Sequence, residues 1–346
     1  MSKERNQAQK RPSGGRGRSG GGPRTPLVFG LMIAVLLILF LGRWVTAINQ
    51  GYFASFVQLD PSVEQAAAKM TGLTPSEEEK ALLLPLQREW DLFTAARLRD
   101  EVTVTARDGA VLHGYLYDEG SDVTVVVIPR FYQDGTADFL PGPWLQESLG
   151  CNLLLIDPRA HGGSGGDYFG YGWLEQEDLA CWLEWADGAL GPQSFLLWGE
   201  GTGANTILFA AASGLLSDQV VCAVAESPYP SLHELAAEQL WNWYRIPAFP
   251  FLSILEHTLA NSPAGYTVDD ADLGAALEGS SAGLPVLFLQ TAGDAYILPA
   301  WSQQVYELYP GPKEQLSGPG SHGMGYAQCR EQVQQLLLQW WSEAGF

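Results

Sequence analysis

Short, almost unbroken apolar runs alternate with stretches of helical periodicity, and this alternation constrains the chain more than any other feature. The runs are Val123–Ile128, Asn152–Ile156, Ser194–Trp198, Val220–Ala225 and Pro285–Gln290. A strand with no polar face must be covered on both sides, which is the condition of a strand inside a parallel sheet. Helical stretches at Trp173–Ala189, Ala204–Ala212 and Ser302–Leu308 lie between or after the runs, and a last helix is expected from Tyr326 to Trp341. The pattern predicts an α/β domain with a mostly parallel central sheet covered by helices on both faces. Ahead of it, Glu101–Ala106 and Val111–Tyr117 flank an Arg107-Asp108-Gly109 turn and predict a hairpin.

The amino terminus has a different character. Residues 1–43 hold eight Lys/Arg against Glu4 alone, while residues 44–346 hold 11 against 38 acids. Residues 1–26 are basic and rich in Gly, Ser and Pro, which predicts a solvated tail. Leu27–Leu41 is uncharged and apolar, and a helix from Leu27 to Ile48 would be about 33 Å long, enough to cross a bilayer. The basic flank predicts a single-pass anchor at 27–48 with a cytoplasmic tail and the body outside; the competing reading is a signal peptide cut after Val45-x-Ala47. Membrane is therefore the expected partner. A body this acidic argues against nucleic acid.

Residues 49–100 read as a helical connecting region, with a helix start at Pro75-Ser76-Glu77-Glu78-Glu79. In the main domain, 101–346, the alternation stops between 231 and 284. This insertion carries Trp241, Trp243, Tyr244, Phe249 and Phe251. It reads either as a lid over an apolar pocket, with a small apolar or acyl ligand as occupant, or as an ordinary extra helix pair. Cys151, Cys181, Cys222 and Cys329 form no C-x-x-C pair, and their contexts predict buried free thiols.

One stretch carries the chemistry. Gly199-Glu200-Gly201-Thr202-Gly203-Ala204 follows an apolar run and opens a helix of small residues. It satisfies the dinucleotide fingerprint G-x-G-x-x-G/A, with Glu226 near the place of a ribose-binding acid. It also matches the nucleophile elbow G-x-S-x-G, with Gly201 where the serine belongs. A dinucleotide site is expected in the first βαβ unit, whereas this motif follows two earlier sheet strands. Gly162-Gly163-Ser164-Gly165-Gly166 also spells G-x-S-x-G but is not placed between a strand and a helix.

The flanks favour the elbow. Asp157-Pro158-Arg159-Ala160-His161-Gly162-Gly163-Ser164-Gly165 resembles the D-x-R-G-H-G-x-S-x-G stretch of α/β hydrolases. Gly172-Trp173-Leu174-Glu175, Glu226-Ser227-Pro228-Tyr229, Ala292-Gly293-Asp294 with Pro299, and Gly320-Ser321-His322-Gly323 continue the likeness. Over residues 101–343 the chain is similar to membrane-anchored bacterial α/β hydrolases and their serine aminopeptidase-like branch. The resemblance implies the α/β-hydrolase fold, Asp294 as catalytic acid, His322 as catalytic base and Gly201 at the nucleophile position. It also implies an oxyanion hole from the backbone of Thr202 and Phe131, with no cofactor and no metal. Pro129-Arg130-Phe131 departs from the H-G-x of that hole, so nucleophile and hole are both altered. Three readings remain open: a non-catalytic binding protein, an ester or amide hydrolase in which Asp294 and His322 activate water or an unusual nucleophile supplied from elsewhere, and a dinucleotide enzyme.

Overall fold

A computed structural model describes residues 25–56 and 75–345, with the side chains of 25–28, 30, 48, 49, 51–56, 243 and 244 outside the description. The expected tail at 1–24 and the stretch 57–74 of the connecting region lie outside the described residues. The chain divides into two units at Ala47/Ile48.

Helix α1 (Thr25–Phe56) runs through the expected apolar span. The side chains of Leu31–Leu41 are all exposed. Among the described residues no helix is long and apolar enough to cross a membrane. The side chains of Leu27, Val28, Gly30 and Ile48, parts of the expected span, are outside that set.

The second unit is built on eight strands. They are β1 (Asp100–Thr105), β2 (Val111–Tyr117), β3 (Val123–Ile128), β4 (Asn152–Ile156), β5 (Ser194–Glu200), β6 (Val220–Glu226), β7 (Val286–Thr291) and β8 (Lys313–Gly318). Their order is β1-β2-β4-β3-β5-β6-β7-β8. The β1–β2 and β2–β4 pairs are antiparallel and all later pairs parallel. The expected runs are thus strands, three of them ending one or two residues later than expected. The edge strand β8 is an addition.

Alternation along each strand divides the core. Val126, Ile128, Leu154, Leu197, Ala223 and Phe288 face one layer, with α4 (Glu175–Leu190), α5 (Thr202–Ala212), α8 (Leu273–Leu277) and α9 (Pro299–Leu308). Val125, Val127, Leu153, Trp198, Val224 and Leu287 face the other, with α2 (Glu77–Ala96), α3 (Gly142–Leu149) and α10 (Gly325–Glu343). Both faces are therefore covered, as the apolar runs require. Burial of each such aliphatic side chain contributes about 1.5–3 kcal/mol. All four cysteines are buried and free.

A third cluster packs the insertion at 231–284 onto the loops of the sheet. Helices α6 (Leu232–Tyr244) and α7 (Ala248–Ala260) contribute Leu235, Leu240, Leu252 and Leu259. These meet Phe131, Phe169, Tyr229 and Ile297 from the loops beyond β3, β4, β6 and β7.

Candidate functional site

The glycines of the central motif have separate physical causes. A Cβ on Gly199 would strike the Gly203 backbone, and one on Gly203 would strike the Ile128 carbonyl, so these two let β5, α5 and β3 close up. Gly201 lies between β5 and α5 with φ 53 and ψ −110, a strained turn that glycine adopts at low cost. Its N–H donates to the Glu226 carbonyl at 2.8 Å. A Cβ there would meet only the Arg130 Cβ, at 3.4 Å. The turn therefore has the strand–turn–helix form of a nucleophile elbow and room for a side chain, and it carries none.

The expected acid and base are together. Asp294, just past β7, accepts from His322 Nδ1 at 2.7 Å and from Ser227 Oγ at 3.2 Å through Oδ2. Its Oδ1 accepts from the Tyr296 and Ile297 N–H groups at 2.9 and 2.8 Å. The two side chains are only 3% and 2% exposed for His322 and Asp294, so water competes little for the pair. With Nδ1 donating to the carboxylate, Nε2 of His322 keeps its lone pair. The Tyr296 ring stands edge-on to the imidazole at 5.1 Å.

Three groups outside the expected set hold the histidine loop. Glu79 of α2 accepts from the Ser321 N–H at 2.6 Å while closing the capping box with Ser76. These backbone hydrogen bonds, from Ser76 first and Ser321 next, hold its carboxyl down to about 2. Thr291 Oγ1 donates to the Ser321 carbonyl at 2.9 Å. Glu226 lies under the loop and accepts from the Gly325 N–H at 2.8 Å. Burial, then the neighbouring Glu200 carboxylate, pushes its carboxyl up to about 8. The residue a dinucleotide site would need on a ribose is thus a buried support of the loop. Ser76-x-x-Glu79 is legible as a helix start, but nothing local in the sequence shows its second bond.

Side chains crowd the region expected to supply the oxyanion donors. Arg130 Nη1 lies 3.7 Å from Glu200 Oε2 and occupies the place a Cβ on Gly323 would need. One arginine side chain therefore reaches from the elbow to the histidine loop. Gln133, with its amide oxygen turned inward, accepts from Arg130 Nη2 at 3.0 Å. Phe131 is buried in the third cluster, 5.4 Å from Phe169 and 5.3 Å from Tyr171. The next N–H, that of Tyr132, donates to His161 Nε2 at 3.2 Å, and His161 Nδ1 donates to the Arg159 carbonyl at 2.9 Å. Burial holds His161 down to about 4, which keeps it neutral for this bridging role. Thr202 Oγ1 is buried and has no hydrogen-bond partner among the described residues. Above the dyad, Gln239 of α6 donates to the Tyr296 hydroxyl at 3.3 Å.

The second G-x-S-x-G stretch is a structural loop. Ser164 Oγ donates to the Asp157 carbonyl at 2.7 Å and accepts from the His113 N–H at 2.8 Å. Asp157 accepts from the Gly135 and Gly163 N–H groups, both at 2.7 Å.

No family model matches the chain. A Bacillus subtilis (strain 168) protein described as uncharacterized protein YqkD is 31% identical over 184 residues. That stretch covers 53% of this chain and 59% of YqkD, less than two thirds of the relative. Among solved structures, the Pyrococcus furiosus esterase Pf2001 superposes with a TM-score of 0.57 at 20% identity, over 72% of this chain and 93% of that one. Mouse alpha/beta hydrolase domain-containing protein 10 gives 0.51 at 16%, over 71% and 100%. Strand order and these likenesses establish the α/β-hydrolase fold.

Proposed function

We propose that this α/β-hydrolase-fold chain is a membrane-anchored member of the hydrolase superfamily that binds a small apolar or acyl ligand without serine chemistry. The carrying observation is the elbow itself. Acid and base are hydrogen-bonded at 2.7 Å, yet residue 201 at the turn is glycine. A histidine base has no proton to take from it, so acyl transfer through a covalent intermediate has no attacking atom there. The uncharged run Leu27–Leu41 behind a basic flank supports the anchor. A serine-directed fluorophosphonate is expected to leave the full chain unlabelled; labelling of the wild type would refute the reading.

The complete hydrogen bonding of Asp294 favours a second reading, in which His322 Nε2 removes a proton from water that attacks an ester. Ester turnover that is lost in His322→Ala would select it over the binding reading.

A further inference from the structure

We infer that the Arg130 side chain is a movable shield over the Asp294–His322 pair, which a ligand must displace to reach His322. The imidazole and its carboxylate are almost wholly buried, yet a base acts only on a ligand or a water that it touches. Part of their cover therefore has to move. Arg130 runs along the gap in question. Beyond the chain neighbours of Gly201, its Cβ is the one heavy atom within 4 Å of the place a Cβ would take there. Its guanidinium fills the space of a Cβ on Gly323, the residue after His322. The side chain thus spans the gap that a serine at 201 would bridge to the base. The inference rests on the binding reading only in taking His322 as the group a ligand meets.

Mobility distinguishes Arg130 from the other cover. Tyr296 is edge-on to the imidazole and is held at both ends: its N–H donates to Asp294 Oδ1 at 2.9 Å and its hydroxyl accepts from Gln239 at 3.3 Å. The Arg130 side chain is 25% exposed, with Glu200 at 3.7 Å and the turned Gln133 amide oxygen at 3.0 Å. A part-exposed pair at that distance holds weakly. The backbone underneath is fixed. Phe131 is packed against Phe169 and Tyr171, the Tyr132 N–H donates to His161, and the Gly135 N–H donates to buried Asp157 at 2.7 Å. Motion is left to the side chain, whose long stem has the rotamer freedom for it.

The test measures the accessibility of His322. The full chain is treated with diethyl pyrocarbonate, which carbethoxylates neutral imidazole, and its five histidines are followed by peptide mass spectrometry. Exposed His233 and His257 should react fast and His322 slowly. A minor open state is populated at about 0.1–10%, so Arg130→Ala should quicken His322 about tenfold or more while His233 keeps its rate. His161, whose Nε2 takes the Tyr132 N–H of the same loop, should stay slow. Where it does not, the loop has loosened and Gln133→Ala decides, since it removes a neutral contact of the guanidinium and should also quicken His322. A wild-type His322 as reactive as His233 would overturn the inference. So would a His322 that stays slow in both variants, or one that quickens in Gln239→Ala alone, which would assign the cover to Tyr296. Fluorophosphonate labelling of the wild type would refute the binding reading and leave these rates, and the shield, untouched.

Discussion

At residue 201 the backbone and the side chain give opposite instructions. A φ of 53 suits glycine, and the 3.4 Å approach to Arg130 Cβ leaves room for a hydroxymethyl group. Gly201→Ser should therefore fold, at a cost of about 1–3 kcal/mol for a side chain in a strained turn, read as a lowered Tm. It should gain fluorophosphonate labelling that disappears when His322→Ala is added. Turnover should stay low, because Arg130 stands where the hydrolase pattern has glycine; one missing oxyanion donor costs about 2.7–4 kcal/mol of barrier. Adding Arg130→Gly should raise ester turnover above that of Gly201→Ser alone. Glu226 gives a separate test. Its carboxyl is raised to about 8 from an ordinary 4.5, mainly by burial, so the folded state favours the protonated form. Stability from this group is full below about pH 4.5 and is lost as pH rises through about 8. Glu226→Gln, which stays neutral, should flatten the fall in Tm between pH 5 and pH 8.5, and an unchanged slope would assign the fall elsewhere.

The elements differ in how much of them the sequence shows. The buried parallel strands were legible because they are apolar throughout. The edge strand β8 was not, because Lys313-Glu314-Gln315-Leu316-Ser317-Gly318 is half-exposed and reads as a loop. Helix α4 begins at Glu175 rather than Trp173. Gly172 has φ 100, and the Glu175 carboxylate accepts from the Gly170 and Gly172 N–H groups at 2.7 Å each. The pairing of Asp294 with His322 was legible through local motifs, Gly293-Asp294 and Ser321-His322-Gly323. The support of the histidine loop by α2 was not, because Glu79 and Ser321 are 242 positions apart. Glu79→Ala should cost about 1–2 kcal/mol, since it removes a cap and orphans the Ser321 N–H. Amide exchange should quicken at Ser321 and Gly323 before it does in the sheet. The Glu79 carboxyl is held at about 2, so its contribution is present above about pH 4.5 and lost as pH falls toward 2. The alanine variant should lack that acid-side loss.

For the molecule as a whole, the division of charge carries the topology. Eight Lys/Arg precede the body and 38 acids follow residue 43. On the proposed anchor at 27–48, the basic end would stay in the cytoplasm and the acidic body would face outside. Protease added to intact cells should then digest the body and spare the tail; a protected body with an accessible tail would reverse the orientation. The expected anchor rests on hydropathy and flanking charge alone, and among the described residues no helix is long and apolar enough to cross a membrane. The α/β class was legible from the strand–helix alternation, and the α/β-hydrolase fold from the resemblance carried by the stretches around Asp157, Asp294 and His322. The seat of the insertion was not, because its contacts are made to loops scattered from Phe131 to Ile297.

Helix α2 also packs against α10, where Glu89 and Arg330 pair at 2.8 Å. One side of helix α2 thus waits for α10. While the chain is being made, Trp90 and Phe93 can meet Tyr117 early, but Val333, Leu337 and Trp341 of α10 join their layer only at the end of synthesis. The bond from Glu79 to Ser321 forms at the same late moment. Long-range closure of this kind is slow and leaves apolar surface bare in the interval. A chain that stops short of Gly325 would keep the Glu79 and Thr291 bonds to Ser321 but lose the Gly325 bond to Glu226 and the α10 side of helix α2.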